Sequence, residues 1–438
     1  MNLSGLRVVV VGMARSGVAA VELLIEKGAL VTPVDQSFSP KARRYYSGIP
    51  ARPQTETSFS GAELIVLSPG VPADLDVLRK ARAEGARVIG DLELASWFLQ
   101  GDIAGITGSN GKTTTTALTG HILLECGIAA QVGGNIGTPP CSMVASSRPG
   151  QWNVLELSSF QLETTENFHA RVAAALNVTA DHLDRHYTME NYVAAKGRLF
   201  RNQRAGDVAI LNADDPYTRA YAAQTPAEVF WFSSTHEVTG ATLRGDELLL
   251  NGEVLMPAAE VPLRGVHNLE NTLAASLIAH VAGAGRAEIR QAVKTFAGVE
   301  HRLEFVRELH GVSWYNDSKA TNVDATLKAI AAFPGSLWII LGGKDKDSDY
   351  APLASPLKEK AHAALLIGAA AGKIEEQLRG SVELIRSGTL AAAIEEAHRR
   401  AKTGDTVLLA PACASFDQFQ NFEHRGREFK RMVGDLQP

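Results

Sequence analysis

The stretch Gly105-Ile-Thr-Gly-Ser-Asn-Gly-Lys-Thr113 sets glycines, a lysine and hydroxyls between a short apolar run (Ile103, Ala104, Ile106) and a helical stretch from Thr113 to Cys126. A glycine-rich turn between strand and helix aims backbone N–H groups and the positive helix end at an anion. In such a loop Gly108, Ser109, Asn110 and Gly111 cradle phosphates and Lys112 neutralises the outer ones. The Thr113 hydroxyl is placed to hold Mg2+, with Thr114 beside it. This is the chemistry of a nucleoside triphosphate. The spacing departs by one residue from G-x4-G-K-[ST], with Ile106 where glycine is required. A glycine- and threonine-rich turn that binds nothing is the bland alternative, and the strand–loop–helix context argues against it.

Other residues of the same part of the chain have chemistry to offer. Val154-Leu155-Glu156 puts a carboxylate at the end of an apolar strand, where it suits Mg2+ beside a phosphate loop. Asn135 lies in Gly133-Gly-Asn-Ile-Gly137, and Ser158 and Gln161 follow the acidic strand as polar ligand contacts. His182 reads as a metal ligand or a surface histidine, and spacing alone favours the surface. Lys196, within Ala194-Ala-Lys-Gly197, reads as an ordinary solvated helical lysine. His267 and Asn271 share a helix face, as an adenine or ribose contact or as helix capping.

These groups need α/β scaffolding. Leu6–Val11, Ser16–Lys27 and Leu30–Val34 form a β-α-β opening with Asp35 at the second strand's end. Gly12-Met-Ala-Arg-Ser-Gly17 is a weak dinucleotide fingerprint, because Ala14 occupies the place of the glycine that lets backbone approach a pyrophosphate. Gly12 and Gly17 read equally as a tight turn with close helix packing. Leu64–Leu67 runs into the turn Ser68-Pro-Gly70, and a first domain of residues 1–92 closes after Val88 and Ile89. The phosphate loop opens a second domain, 93–298, in which Met189–Gln203 reads as a helix and 229–262 as short strands. A third, 299–438, restarts the alternation with strands near 337–341, 364–367 and 407–410, giving a doubly wound pattern. Polar clusters follow its strands: His301-Arg302, Asn316–Thr321, Gly342–Lys346 and Pro411–Ser415.

The 438 residues, 45% hydrophobic and 21% charged, describe a globular α/β protein of about three domains. A net charge of -5 argues against a general nucleic-acid or membrane-surface binder. Cys126, Cys141 and Cys413 form neither a metal spacing nor a disulfide framework, which fits a reducing, cytoplasmic setting. The opening residues read as strand and helix rather than as a signal segment, and no apolar run reaches membrane-spanning length.

Over essentially its whole length the chain resembles the Mur ligase family of peptidoglycan synthesis. The carrying segments are Gly108–Thr113, Gly134–Gly137, Glu156–Glu163, Asn177–Asp184, His267-Asn268, His301-Arg302, Asn316–Asn322 and Ala412–Phe419. The family's own loop pattern, T-G-x-N-G-K-[ST], accounts for Ile106. Glu-Leu-Ser-Ser-Phe-Gln, Asp-Ser-Lys-Ala-Thr and Ala-Cys-Ala-Ser point to the branch that adds D-glutamate.

The resemblance implies a fold of three α/β domains: a Rossmann-like UDP-binding domain, a P-loop ATPase-type domain and a Rossmann-like domain that closes over ATP about a hinge near residue 299. It implies a cytoplasmic, monomeric ligase with UDP-N-acetylmuramoyl-L-alanine, D-glutamate and ATP as substrates and no nucleic-acid or membrane partner. Two Mg2+ ions are implied, held by Thr113, Glu156, His182 and Lys196, the last as N6-carboxylysine. Lys112, Glu156, His182 and Lys196 become the catalytic set. Asn268, Asn271, His301, Arg302, Asp317 and Lys319 join the loop in binding ATP. Arg15, Ser16, Asp35, Ser68, Gly70, Asn135, Ser158, Gln161 and His182 face the UDP substrate. Thr321, Lys346, Ser415 and Phe422 hold D-glutamate, with Lys344 competing for the role of Lys346. Three rivals remain: a family member adding another amino acid, an NAD enzyme built on the first domain, and a nucleotide switch without synthesis.

Overall fold

Strands of this chain are short apolar runs buried on both faces, which is what a parallel sheet flanked by helices demands. The computed structural model describes residues 2–36 and 45–437, and three such sheets carry it. The first orders its strands Arg52–Pro53, Leu30–Asp35, Arg7–Val11, Leu64–Leu67 and Arg87–Gly90, all parallel. Gly12 has φ +87°, and a Cβ on Gly17 would meet the Gly12 carbonyl oxygen at 1.8 Å. The pair therefore makes the tight turn and close helix packing that were one of its two readings.

The second sheet has nine strands. Asp102–Thr107 lies at its heart, between Val172–Ala175 and Trp152–Glu156, with Ala130–Gly134 at the edge beyond. On the other side Val208–Asn212 and Glu228–Ser233 continue in parallel to Gly240–Arg244, and the antiparallel strands Glu247–Leu250 and Glu253–Pro257 close the row. Because the central strands are parallel, the turns after Thr107, Gly134, Glu156 and Ala175 all open on one end of the sheet. The helix expected over Met189–Gln203 is shorter, running Met189–Gly197 before tightening into a 3-10 turn at Arg198–Phe200.

The third sheet orders Glu304–Leu309, Val312–Asn316, Thr406–Leu409, Leu337–Gly342, Ala361–Ile367 and Glu383–Gly388. Only its first pair is antiparallel.

Three sheets make two compact units. One comprises the chain up to Val261 with Glu270–Phe296; the other comprises Pro262–Leu269 and the chain from Ala297 onward. The helix Val266–Val281 contributes its first turn to the second unit and the rest to the first. Packing inside the first unit explains why no break falls near residue 92. Glu93, on the helix Asp91–Ser96, is fully buried and accepts the backbone N–H groups of Glu166, Asn167 and Phe168 as well as the Trp97 indole. Each buried donor left without a partner costs about 1–3 kcal/mol. One carboxylate thus ties the first sheet's last helix to the second sheet's flank. Arg185 adds a bond to the Val71 carbonyl at 2.8 Å, and Arg87 bonds Glu166. No described helix is long and apolar enough to cross a membrane.

Candidate active site

The loop Gly108–Gly111 joins the central strand to the helix Lys112–Glu125. Gly111 is the helix N-cap at φ +84°, and a Cβ there would stand 2.2 Å from the Asn271 carbonyl oxygen, so both backbone and space require glycine. Asn177, at the end of the neighbouring strand, braces the loop from outside. Its backbone carbonyl takes the Ser109 N–H at 2.9 Å, its side-chain oxygen takes the Asn110 N–H at 2.8 Å, and its amide donates to the Asn110 carbonyl at 3.1 Å. Ser109 is held in turn by the Thr179 carbonyl and the Tyr192 hydroxyl. Thr115 reaches Asn271, so Asn271 stands beside the loop.

Two lysines converge on one acceptor. Lys112 donates to the Gly108 carbonyl at 2.7 Å and the Ser109 carbonyl at 2.9 Å, and Lys196 donates to the same Gly108 carbonyl at 2.8 Å. Lys196 is 1% exposed, with its ammonium 4.5 Å from the centre of the Tyr192 ring. Burial, and then the charge of Lys112, hold its pKa well below the ordinary lysine value, against the pull of Asp181 and Glu156. The solvated helical lysine of the sequence reading is therefore corrected. Tyr192 lies one helical turn before Lys196, and that spacing was the available signal for this pair.

Thr113 and Glu156 meet across the two strand ends. The Thr113 hydroxyl donates to Glu156 at 2.7 Å, and the Asn135 amide donates to the other carboxylate oxygen at 2.9 Å. Glu156 is buried, and a hydroxyl plus a carboxylate form the hard oxygen set that Mg2+ prefers when nucleotide phosphates complete its shell. The residues fit that ion. Among the described residues no group of three His, Cys, Asp or Glu side chains is placed to hold a metal ion, so an ion here would depend on ligand oxygens. His182 is half-buried in a left-handed conformation (φ +55°), edge-on to the Phe160 ring with centroids 4.8 Å apart. Its side chain is still 37% exposed, so the surface reading stands beside the ligand reading. His186, absent from the sequence reading, packs on the same ring and bonds the Ser159 hydroxyl at 2.9 Å, and burial pushes its pKa down to about 4.

The first sheet adds a second group. Asp35 accepts the Met13 N–H at 2.6 Å and Ser68 donates to the Gly12 carbonyl at 2.7 Å, which shapes the glycine turn. Arg15 donates to the Gly137 carbonyl at 2.8 Å, which sets the Asn135 loop beside the N-terminal helix. Ser158 and Gln161 cap one short helix reciprocally, and the Gln161 amide nitrogen is buried with no acceptor. Gly70 is exposed on the turn after its strand.

In the second unit the four polar clusters come together. Asn316, Leu409 and Gly342 end three adjacent parallel strands, and His301-Arg302 precedes the antiparallel edge strand at the same end. Arg302 approaches Asp317 to 4.0 Å. Burial pushes Asp317 up to about 6, with Arg302 opposing. Asn268 belongs to this unit, donating to the Arg264 carbonyl at 2.7 Å, whereas Asn271 belongs to the other. His267 is pushed down to about 3 by burial, with Arg302 and Lys328 adding to the effect, so it is neutral.

The Asn316 amide is orientated from both sides: its oxygen accepts the Ser318 N–H at 3.1 Å and its nitrogen donates to Glu304 at 2.9 Å. The same nitrogen meets His301 Nδ1 at 2.9 Å, so Nδ1 is an acceptor and the proton of the neutral ring sits on Nε2. Phe422 packs edge-on to His301, and the Lys319 ammonium lies 5.3 Å from its ring centre. Thr321 is half-buried, Lys344 and Lys346 are both exposed, and Ser415 is buried with its hydroxyl lacking a partner. Arg425, another residue beyond the sequence reading, is buried and donates only to neutral oxygens of Ser318, Cys413 and Ala414.

Comparison with known proteins follows this geometry closely. Residues 6–90 match the Mur ligase MurD-like N-terminal domain, 106–279 the Mur ligase middle domain and 301–413 the Mur ligase glutamate ligase domain. A protein of Solibacter usitatus named UDP-N-acetylmuramoylalanine--D-glutamate ligase is 60% identical over 440 residues, covering all of both chains. The chain belongs to the Mur ligase family. Proteins of the same name from Koribacter versatilis and Acidobacterium capsulatum are 48% and 49% identical to it over 99% of its length and 98% and 97% of theirs. Among solved structures, a pseudomurein peptide ligase type C from Methanothermus fervidus gives a TM-score of 0.63 at 18% identity, over 99% of this chain and all of that one. UDP-N-acetylmuramate-alanine ligase from Thermotoga maritima gives 0.63 at 19%, over 98% and 99%. Both share the three-domain α/β fold of the Mur ligases.

One buried carboxyl of this Mur ligase stands apart from any cation. Asp91 accepts the Leu92 N–H on one oxygen, while the other is buried without a partner. Burial pushes it up to about 6, offset in part by Ser16 and Gln161, which stand nearby without closing a bond onto the unpartnered oxygen. A carboxyl raised from 3.8 to about 6 binds its proton more tightly in the folded state. Its contribution is most favourable below pH 4, is lost as pH rises to about 6, and amounts to about 3 kcal/mol in all. Asp91→Asn should therefore gain stability relative to the parent between pH 4.5 and pH 7.5 in urea titrations. An equal difference at both pH values would contradict this account.

Proposed function

We propose that this Mur ligase joins D-glutamate to UDP-N-acetylmuramoyl-L-alanine, with ATP becoming ADP and phosphate, in cytoplasmic peptidoglycan precursor synthesis. The full-length 60% identity to a ligase named for that reaction carries the reading, and the complete phosphate-loop apparatus supports it. The L-alanine carboxylate is a poor electrophile because its oxygen leaves badly. It therefore attacks the γ-phosphate first and becomes an acyl phosphate. The D-glutamate amine then adds to that carbonyl, and the tetrahedral intermediate expels phosphate, leaving an amide.

The first step brings two anions together, and the charge that grows there calls for fixed cations. Lys112, drawn back over its own loop, is such a cation for the β- and γ-phosphates. Mg2+ held by Thr113, Glu156 and the nucleotide would neutralise further charge, and His182 with a carbamylated Lys196 would hold a second ion. Thr114 and the loop N–H groups bind phosphate. Asn268, Asn271, His301, Arg302, Asp317 and Lys319 take the adenosine and phosphates. Arg15, Ser16, Asp35, Ser68, Gly70, Asn135, Ser158, Gln161 and His182 take the UDP substrate. Thr321, Lys346, Ser415 and Phe422 take D-glutamate, the lysine pairing with one carboxylate and the hydroxyls with the other.

In domain terms, residues 1–92 bind UDP, 93–298 bind ATP, and 299–438 bind D-glutamate and close over ATP about a hinge near residue 299. Small-angle scattering should show a more compact particle with ATP analogue and both cosubstrates than without; identical profiles would oppose closure.

Lys196 loses a proton to become the neutral amine, which then joins CO2 with loss of a second proton, so that a cation becomes an anionic carbamate. The depressed pKa supports the reading by supplying neutral amine. Lys196→Ala should lose nearly all activity and recover part of it with added short-chain carboxylic acids. Full activity without them would overturn the carbamate.

The decisive assay is phosphate release from ATP and Mg2+ with UDP-N-acetylmuramoyl-L-alanine, comparing D-glutamate, L-glutamate, L-alanine and no amino acid. Release should require D-glutamate and accompany amide formation. Release with another amino acid would move the substrate pocket, and release indifferent to all of them would reinstate the switch.

A further inference from the structure

Two turns of the second unit carry the side chains proposed to grip D-glutamate: Gly342–Lys346, after the strand Leu337–Gly342, and Ala412–Ser415, after the strand Thr406–Leu409. The strands are neighbours, and past their ends two backbone bonds join the turns: the Gly342 N–H to the Pro411 carbonyl and the Lys344 N–H to the Ala414 carbonyl, both at 2.8 Å. A side-chain relay supplies the rest. Tyr350 is wholly buried, and its hydroxyl lies 2.7 Å from Asp345 Oδ1 and 3.0 Å from Cys413 Sγ. A phenol has one proton, and an ionised carboxylate only accepts. The Tyr350 proton therefore goes to Asp345, and the Cys413 thiol donates to the phenol oxygen. Asp345 is held further by the Ser348 N–H at 3.1 Å and by Lys373 at 2.9 Å. The hydrogen bonds run one way, from Cys413 through Tyr350 to Asp345, and Asp345 stands between the two exposed lysines.

We propose that Tyr350 is a positioning residue for the amino-acid substrate. Through Asp345 on one side and Cys413 on the other, its hydroxyl sets the spacing between the lysine turn and the Ser415 turn. It thereby sets the distance between the cation and the hydroxyl that take the two carboxylates of D-glutamate. The inference rests on the proposed assignment of Lys346 and Ser415 to D-glutamate. It adds that the relay, which touches no substrate, determines how well the pair fits a dicarboxylate.

Tyr350→Phe tests it with little risk to folding. The ring keeps its place in the core, and Asp345 keeps Lys373 and Ser348. The loss of a hydrogen bond that orders the two turns should raise the KM for D-glutamate about three- to tenfold. The KM for ATP, the KM for the UDP substrate and kcat at saturating D-glutamate should stay within about twofold. Cys413→Ala should act in the same direction. The double variant should be little worse than the worse single one, because either change breaks the same relay. An unchanged KM for D-glutamate in Tyr350→Phe, a parallel rise in all three KM values, or additive effects in the double variant would each overturn the proposal. A parent enzyme whose phosphate release ignores D-glutamate would instead overturn the functional reading on which the proposal stands.

Discussion

Two ammonium groups meet one carbonyl oxygen, that of Gly108, and the middle of the molecule is arranged around that meeting. Like charges about 4 Å apart repel by about 4 kcal/mol at an effective dielectric of 20. The fold answers in two ways. Lys112 stays half-buried at the mouth of the loop, where charge is useful to a triphosphate. Lys196 is taken out of water beneath it, against the face of Tyr192, where its neutral form is favoured. Glu156 and Asp181 supply the opposing charge. A lysine in that position is costly as a cation and reactive as an amine, and this difference separates it from the many solvated lysines of the same chain.

Rigid packing makes the arrangement possible. The loop does not hold itself: Asn177 grips its backbone at three points, and Gly111 can take its left-handed turn only because no side chain competes with Asn271. Further out, Glu93 locks the helix Asp91–Ser96 to the segment 166–168 through a set of backbone N–H groups. The first and second sheets thus behave as one compact unit although each has its own strand order. The second unit solves a similar problem with neutral groups. His301 is held as a single tautomer by an amide that is itself orientated from both sides, and Arg425 spends its donors on carbonyls and a hydroxyl beneath the Ser415 turn.

Much of this was legible in the chain. The strand–loop–helix around Lys112, the acidic strand end at Glu156 and the polar turns after the strands of the third sheet are local patterns, and each was found where the residues suggested. Periodicity also identified the β-α-β opening, where Gly12 and Gly17 form a tight turn and a close helix contact after the first strand. Family resemblance, not spacing, singled out His182 and Lys196. By spacing alone both read as ordinary surface residues; for Lys196 that reading fails, because burial is a property of what packs over a side chain and the packing partners are distant in sequence.

What the sequence determined by itself was therefore the set of elements and the chemistry available at their ends. Backbone period and turn residues are written within about ten positions of one another, and so is a phosphate loop. Only the tertiary structure decided which ends meet. Parallel strands from remote stretches must come into register before Thr113 reaches Glu156, before Lys196 and Lys112 share Gly108, or before Tyr350 can join Asp345 to Cys413. It also decided which ionisable groups lose water, and so which are pushed from their ordinary pKa. Nothing in the sequence around Asp91, Asp317 and His267 shows that they are buried. Their behaviour follows from desolvation, which no local pattern records.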